Sequence, residues 1–251
     1  MTPPFQIVRM SDEGSSSEFT ARLVYGILRL RDDAVRHMCP SPEEDFEMKR
    51  NVFDKAYEPV LAGMRAIRAA AKELVQLVTG HVQQVDNGTI VHFQRNAFQI
   101  ADGIDLRLQE LAARVLVQGV IALKAVQSVT GFFGLDIGSV FQTAANFEHG
   151  MLNLRSSGHE ALEIYLRSAR ASWMERFIKQ RADVEHKGWV LPRVDYLLVA
   201  PTRVRASIPS VCELAVDLFA RLSARRLQAF VENTVAYAIS QIGRASCRER
   251  V

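Results

Sequence analysis

Cysteine is scarce in this 251-residue chain, with only Cys39, Cys212 and Cys247. No two of them form a CxxC pair and none has a histidine at ligand spacing, which speaks for a reduced compartment and against a zinc site. A secretory leader is also missing, because MTPPFQIVRMSDEGSSSEF is polar and has no apolar stretch. Long apolar runs are absent too. The most apolar one, Val115 to Val129, is interrupted by Gln118, Lys124 and Gln127, too soon for a membrane span. A soluble cytoplasmic protein with no membrane partner is the expectation. No internal repeat, low-complexity tract, H-E-x-x-H motif or paired Glu-x-x-His motif occurs, and no metal or other cofactor is expected.

One-sided charge is lacking as well. Ile242 to Val251 read IGRASCRERV, a run encoded residue for residue by a common sequencing-adapter string, and it is set aside as a read-through scar. That reading puts the native C-terminus beyond Gln241. The tail carries Arg244, Arg248 and Arg250 against Glu249, a net of +2, so the formal +3 falls to +1. Whole-chain charge then gives no argument for nucleic acid.

Helical periodicity dominates what is present. Residues 1–17 read as an N-terminal arm, with Phe5 to Met10 as a short strand. Residues 18–241 read as a single domain and 242–251 as the scar. Glu18 to Met38 carries helical spacing, stopped by Pro40 and Pro42. Glu43 to Thr79 is the next helix, kinked or split at Pro59 and ended by Gly80. Asp86-Asn87-Gly88-Thr89 predicts a type I′ turn joining His81–Val85 to Ile90–Phe93 in a hairpin. A long helix over Asn96 to Val129 follows, broken by Gly131-Phe132-Phe133-Gly134. A shorter one over Ile137 to Leu154 then ends at Ser156-Ser157-Gly158.

His159 to Lys187 is the clearest amphipathic helix, with Leu162, Leu166, Ala169, Trp173, Phe177 and Val184 in one narrow arc. Gly188 takes the position that ends helices in a left-handed conformation. Val194 to Val199 reads as a strand. In the next one, Thr202, Val204, Ala206 and Ile208 point inward between outward Arg203, Arg205 and Ser207. Ser210 and Glu213 form a capping box opening a last helix, Val211 to Ser240. The fold class is mainly α, a multi-helix bundle with one or two small β-hairpins.

The functional signal lies in RADVEHKGWVLP, Arg181 to Pro192. Five residues of spacing put His186 about 140° around the helix from Arg181, off the buried stripe. Read as structure alone, Arg181 pairs with Glu185 at i+4, and His186 sits at the favourable end of the helix dipole. Read as function, the segment is a basic site. From Arg167 to Arg193, seven cations (Arg167, Arg170, Arg176, Lys179, Arg181, Lys187 and Arg193) face Glu175, Asp183 and Glu185, a local +4. Trp189 beside the motif packs as a strand residue or stacks on a base; packing is favoured.

The helix, the R-x4-H pair, HKGWVLP and the strand after it resemble the HEPN superfamily, and more closely bacterial HEPN-like proteins. Leu135 to Leu154 shares that character less specifically, and the likeness covers about residues 95 to 200. It implies a metal-independent endoribonuclease of the toxin–antitoxin or defence type, acting as a homodimer with a composite groove. Neutral His186 would take the 2′-OH proton and Arg181 would hold the phosphate. Lys179, Lys187, Arg193 and Arg176 would contact RNA, and an antitoxin or other protein would be a partner. One departure stands out: Ala182 occupies a position that is usually polar, often Asn or Asp, in catalytic members. The alternative is a non-catalytic helical module that keeps the fold and binds nucleotide, RNA or a protein.

Overall fold

The computed structural model describes residues 17–39, 43–95 and 97–248. The chain is mainly α, a helical bundle carrying small two-stranded antiparallel sheets. A π-helical stretch, Thr20–Gly26, leads into α1, Ile27–Met38. The helix α2, Glu43–Asp86, packs along α3, Asp105–Phe132, and both pack against α7, Val216–Arg248. The main apolar core runs from Phe19 to Ile239, and a smaller cluster gathers Val85, Ile90, Val91 and Val204.

The expected arm and its strand over Phe5–Met10 lie outside the described residues, as do Pro40 and Pro42. Pro59 neither splits nor ends α2, which runs unbroken over 44 residues. Lys55 and Pro59 are both exposed, so the carbonyl that loses its helical partner is on the water side. Gly80 does not end the helix either. Val78, His81 and Val85, spaced three and four apart, are buried, and that burial outweighs a glycine penalty of about 1 kcal/mol.

The first hairpin is therefore displaced. Asn87 and Gly88 end α2 instead of turning a ribbon: Gly88 has φ +76°, and Asn87 Oδ1 accepts the Thr89 N–H at 3.0 Å. The strands are β1, Val91–Gln94, and β2, Ala97–Ile100, paired from Val91↔Ile100 to Gln94↔Ala97. Residues read as the start of a long helix thus form a strand, because Phe98 and Ile100 alternate inward onto Val85, Ile90, Val91 and Val204.

α3 is long and apolar enough to cross a membrane by length and composition, despite the interrupting polar residues. Here it is the central helix of the bundle, with Leu108, Leu111, Val115, Leu116, Leu123 and Val126 buried in the fold. It touches α6, Glu175–His186, through a close approach. A Cβ added at Gly119 would fall 2.4 Å from the Phe177 ring.

A short 3-10 turn, Gly138–Phe141, and α4, Ala144–Ser156, lead to α5, Glu160–Ala169. A π-helical turn, Arg170–Met174, links α5 to α6. The expected stripe is buried from Leu162 to Phe177, and Val184 is half-buried. β3, Asp195–Ala200, and β4, Arg203–Ser207, form the second hairpin with Val204 buried and Arg203, Arg205 and Ser207 exposed. Ser210 and Glu213 make no capping box. Ser210–Val211 (β5) pairs with Leu214–Ala215 (β6), and α7 opens at Val216, with Asp217 in its first turn. α7 continues past Ser240 into the segment set aside as a scar.

Candidate functional site

Arg181 and His186 both lie on α6, and one carboxylate stands between them. The Arg181 guanidinium forms a short ion pair with Glu185, and its Nε is buried with no hydrogen-bond acceptor. His186 is the last residue of α6, its side chain 72% exposed, with Nε2 3.7 Å from the same Glu185 oxygen. No hydrogen bond or ion pair joins Arg181 to His186 among the described residues. Beyond them Lys187 caps the helix, its Nζ 2.7 Å from Asp183 Oδ1, and Gly188 turns the chain at φ +61°. Trp189 is half-buried against the core, its backbone N–H donating to Asp183 O and its backbone carbonyl accepting from Gln109 Nε2. That is the packing role.

Four of the seven cations, Arg167, Arg176, Arg181 and Lys187, are paired with carboxylates where they stand. Arg167 pairs with Glu148 and Glu163, and Arg176 with Glu213. Arg170 donates to the carbonyls of Val140 and Gln142, with its guanidinium 4.2 Å from the Phe147 ring centroid. Only Lys179 and Arg193 of the seven cations lack a partner among the described residues. The local +4 counts only Arg167 to Arg193; Glu163 lies one helical turn before that stretch, and Glu148 and Glu213 reach it from other elements.

A second feature carried no sequence motif. Between the 134–142 segment and α4 lies a cleft of about 450 Å³. Asp136, Ser139, Gln142, Asn146, His149 and His159 are among its lining residues. His149 and Asn153 follow Asn146 at helical spacing, which sets one wall. The Ser139 hydroxyl is buried without a partner and sits so near Gly150 that a Cβ there would come within 1.9 Å. His159 lies 3.2 Å from the Tyr237 hydroxyl, and burial pushes its pKa down, so the ring stays neutral at neutral pH. The helix break at Gly131 to Gly134 was legible, but the helix expected from Ile137 begins only at Ala144, and the cavity opened by the irregular stretch between was not legible. Among the described residues no three His, Cys, Asp or Glu side chains converge as metal ligands. Comparison with protein-family models, curated proteins and solved structures finds no match for this chain.

Proposed function

We propose that this protein is a HEPN-like helical module that binds a nucleotide through its base and ribose and does not cleave RNA. The observation that carries this reading is the Glu185 carboxylate, which occupies the Arg181 guanidinium and stands beside His186. A phosphate entering there meets a negative charge and must displace a part-buried ion pair, so the pair is poorly placed to stabilise charge developing on phosphate oxygens. Ala182 adds no polar group. The cleft offers the opposite chemistry. Its amides, imidazoles and free hydroxyl match the hydrogen-bonding edges of a base and the hydroxyls of a ribose. No lysine or arginine lines it, which leaves a phosphate outside.

The test is purified protein with total RNA in EDTA, beside a nucleoside titration. No cleavage is expected from the wild type or from His186→Ala, and saturable nucleoside binding should be lost in Asn146→Leu. EDTA-resistant cleavage that disappears in His186→Ala overturns the reading. It would favour the second one, a homodimeric metal-independent endoribonuclease with His186 as base, Arg181 on the phosphate, and Lys179, Lys187, Arg193 and Arg176 along the RNA. The exposure of His186 favours that alternative.

A further inference from the structure

The rod formed by α5 and α6 loses its regular ladder once, in the π-helical turn Arg170–Met174. Such turns recur at functional sites. Facing it is the β5–β6 turn, where Cys212 (φ +50°) and Glu213 (φ +66°) both hold the left-handed conformation. Glycine or asparagine would occupy those two positions with less strain. Two irregularities thus meet across a pocket of about 160 Å³, to which α7 supplies the remaining wall.

The lining is cationic at the rim and aromatic beneath. Arg176 comes from α6 and Arg226 from α7, with the hydroxyl-bearing Ser172 and Ser223 beside them. Arg226 has no partner among the described residues. Trp173 meets Phe177 edge-on at 5.9 Å, and Phe177 stacks with Phe219 at 6.0 Å, so the floor is built of buried, mutually packed aromatic rings. Among the described residues Arg176 is held only by Glu213, 2.6 Å away, with the two side chains 58% and 79% exposed. A pair so exposed contributes little and exchanges readily for another anion.

We infer that this pocket binds a small organic monoanion, a carboxylate carried on a ring or branched apolar body. Arg176 and Arg226 grip the carboxylate as forks, and the aromatic floor takes the body. Two guanidinium groups against one glutamate leave a single positive charge for the ligand to neutralise. The volume excludes a nucleotide, because pockets for ligands of that size run to about 300 Å³ or more. Glu213 then acts as an internal stand-in for the ligand carboxylate, held on a strained turn from which it can be displaced. The site is separate from the cleft assigned to a nucleotide, and its test does not depend on that assignment.

Calorimetric titration of the full chain with benzoate, and separately with inorganic phosphate, tests the inference. Benzoate should bind saturably, and phosphate at least about tenfold more weakly for want of an apolar body. Glu213→Gly relaxes the turn and frees Arg176, so benzoate should bind up to about fivefold more tightly, the upper range for an exposed pair. Arg226→Gln should weaken benzoate at least about tenfold, as expected for a lost charge-assisted bond. If that variant fails to fold by circular dichroism, Arg226→Lys keeps the charge, loses the fork and should still weaken binding. The inference is overturned by no saturable benzoate binding in wild type and Glu213→Gly, by unchanged affinity in the folded Arg226 variant, or by phosphate binding as tightly as benzoate.

Discussion

At Gly119, hydrogen in place of a side chain lets α3 and α6 approach. The Phe177 ring fills the space where a Cβ would sit 2.4 Å away, and Leu227 closes the same spot from α7 at 3.2 Å. Gly119→Ala should therefore destabilise the fold by about 1–3 kcal/mol even though alanine is the better helix former. Urea unfolding monitored by circular dichroism reads this directly, and a stabilised variant would mean the helices are not locked there. A second residue-scale consequence is a dependence on acid. His81 is buried with Nε2 2.7 Å from the Tyr196 hydroxyl. Burial lowers its pKa from the ordinary 6.5, more than Asp105 and Asp102 raise it. Folding therefore favours the neutral ring. The stability it contributes is present above the unfolded value and lost as pH falls through it toward the folded one. The melting temperature should drop between about pH 7.5 and about pH 5.5, either side of the unperturbed imidazole value. His81→Gln should flatten that drop; an equal drop in the variant would assign it elsewhere.

Among the elements, α2 shows what a sequence does and does not reveal. Its buried positions, Phe53, Tyr57, Val60, Met64, Ile67 and Leu74, keep helical spacing on both sides of Pro59, and that periodicity is legible. Proline and glycine are local signals, and here tertiary burial overrides both. The same competition explains the displaced hairpin: Asn87-Gly88 suits a helix end as well as a ribbon turn, and only the packing of Phe98 and Ile100 decides. Ser210 and Glu213 had the spacing of a capping box, but Val211 is buried and its pairing with Leu214 sets a ribbon instead. The amphipathic stripe through α5 and α6 and the alternation within β4 at Val204 and Ala206 followed from spacing, and the helix end from Gly188, whereas Thr202, expected inward, is exposed in the turn before β4. Around the site, the pairing of Arg181 with Glu185 was legible because it is local. Glu163, one turn before Arg167 on α5, is equally local, whereas Glu148 and Glu213 were not legible because they come from other elements. Since Pro59 interrupts a helix that forms regardless, Pro59→Ala should restore a backbone bond and raise stability by about 2 kcal/mol, less than the full proline penalty because the unfolded chain also gains freedom. Denaturant midpoints measure it; a loss of stability would show that the proline sets a bend the packing needs.

For the whole molecule, the distribution of charge matters more than its sum. A formal +3 over 251 residues gives no strong attraction for a polyanion. Most cations near the Arg–His pair are already spent on acidic side chains or on carbonyls. Glu148, Glu163, Glu185 and Glu213 do electrostatically what a bound phosphate backbone would otherwise have to do. RNA binding along this face would then release few counterions. With only Lys179 and Arg193 of the seven cations lacking a partner among the described residues, about two phosphates would be neutralised, and log affinity should fall with log salt at a slope of about −1.4 for a single strand. Fluorescence anisotropy of a labelled oligoribonucleotide across a salt series measures that slope. A value steeper than about −3.5 would require at least three of the paired cations to leave their partners on binding. Arg181 would be the one that matters among them, because its release from Glu185 is the step a phosphate-binding, catalytic form of this protein could not do without.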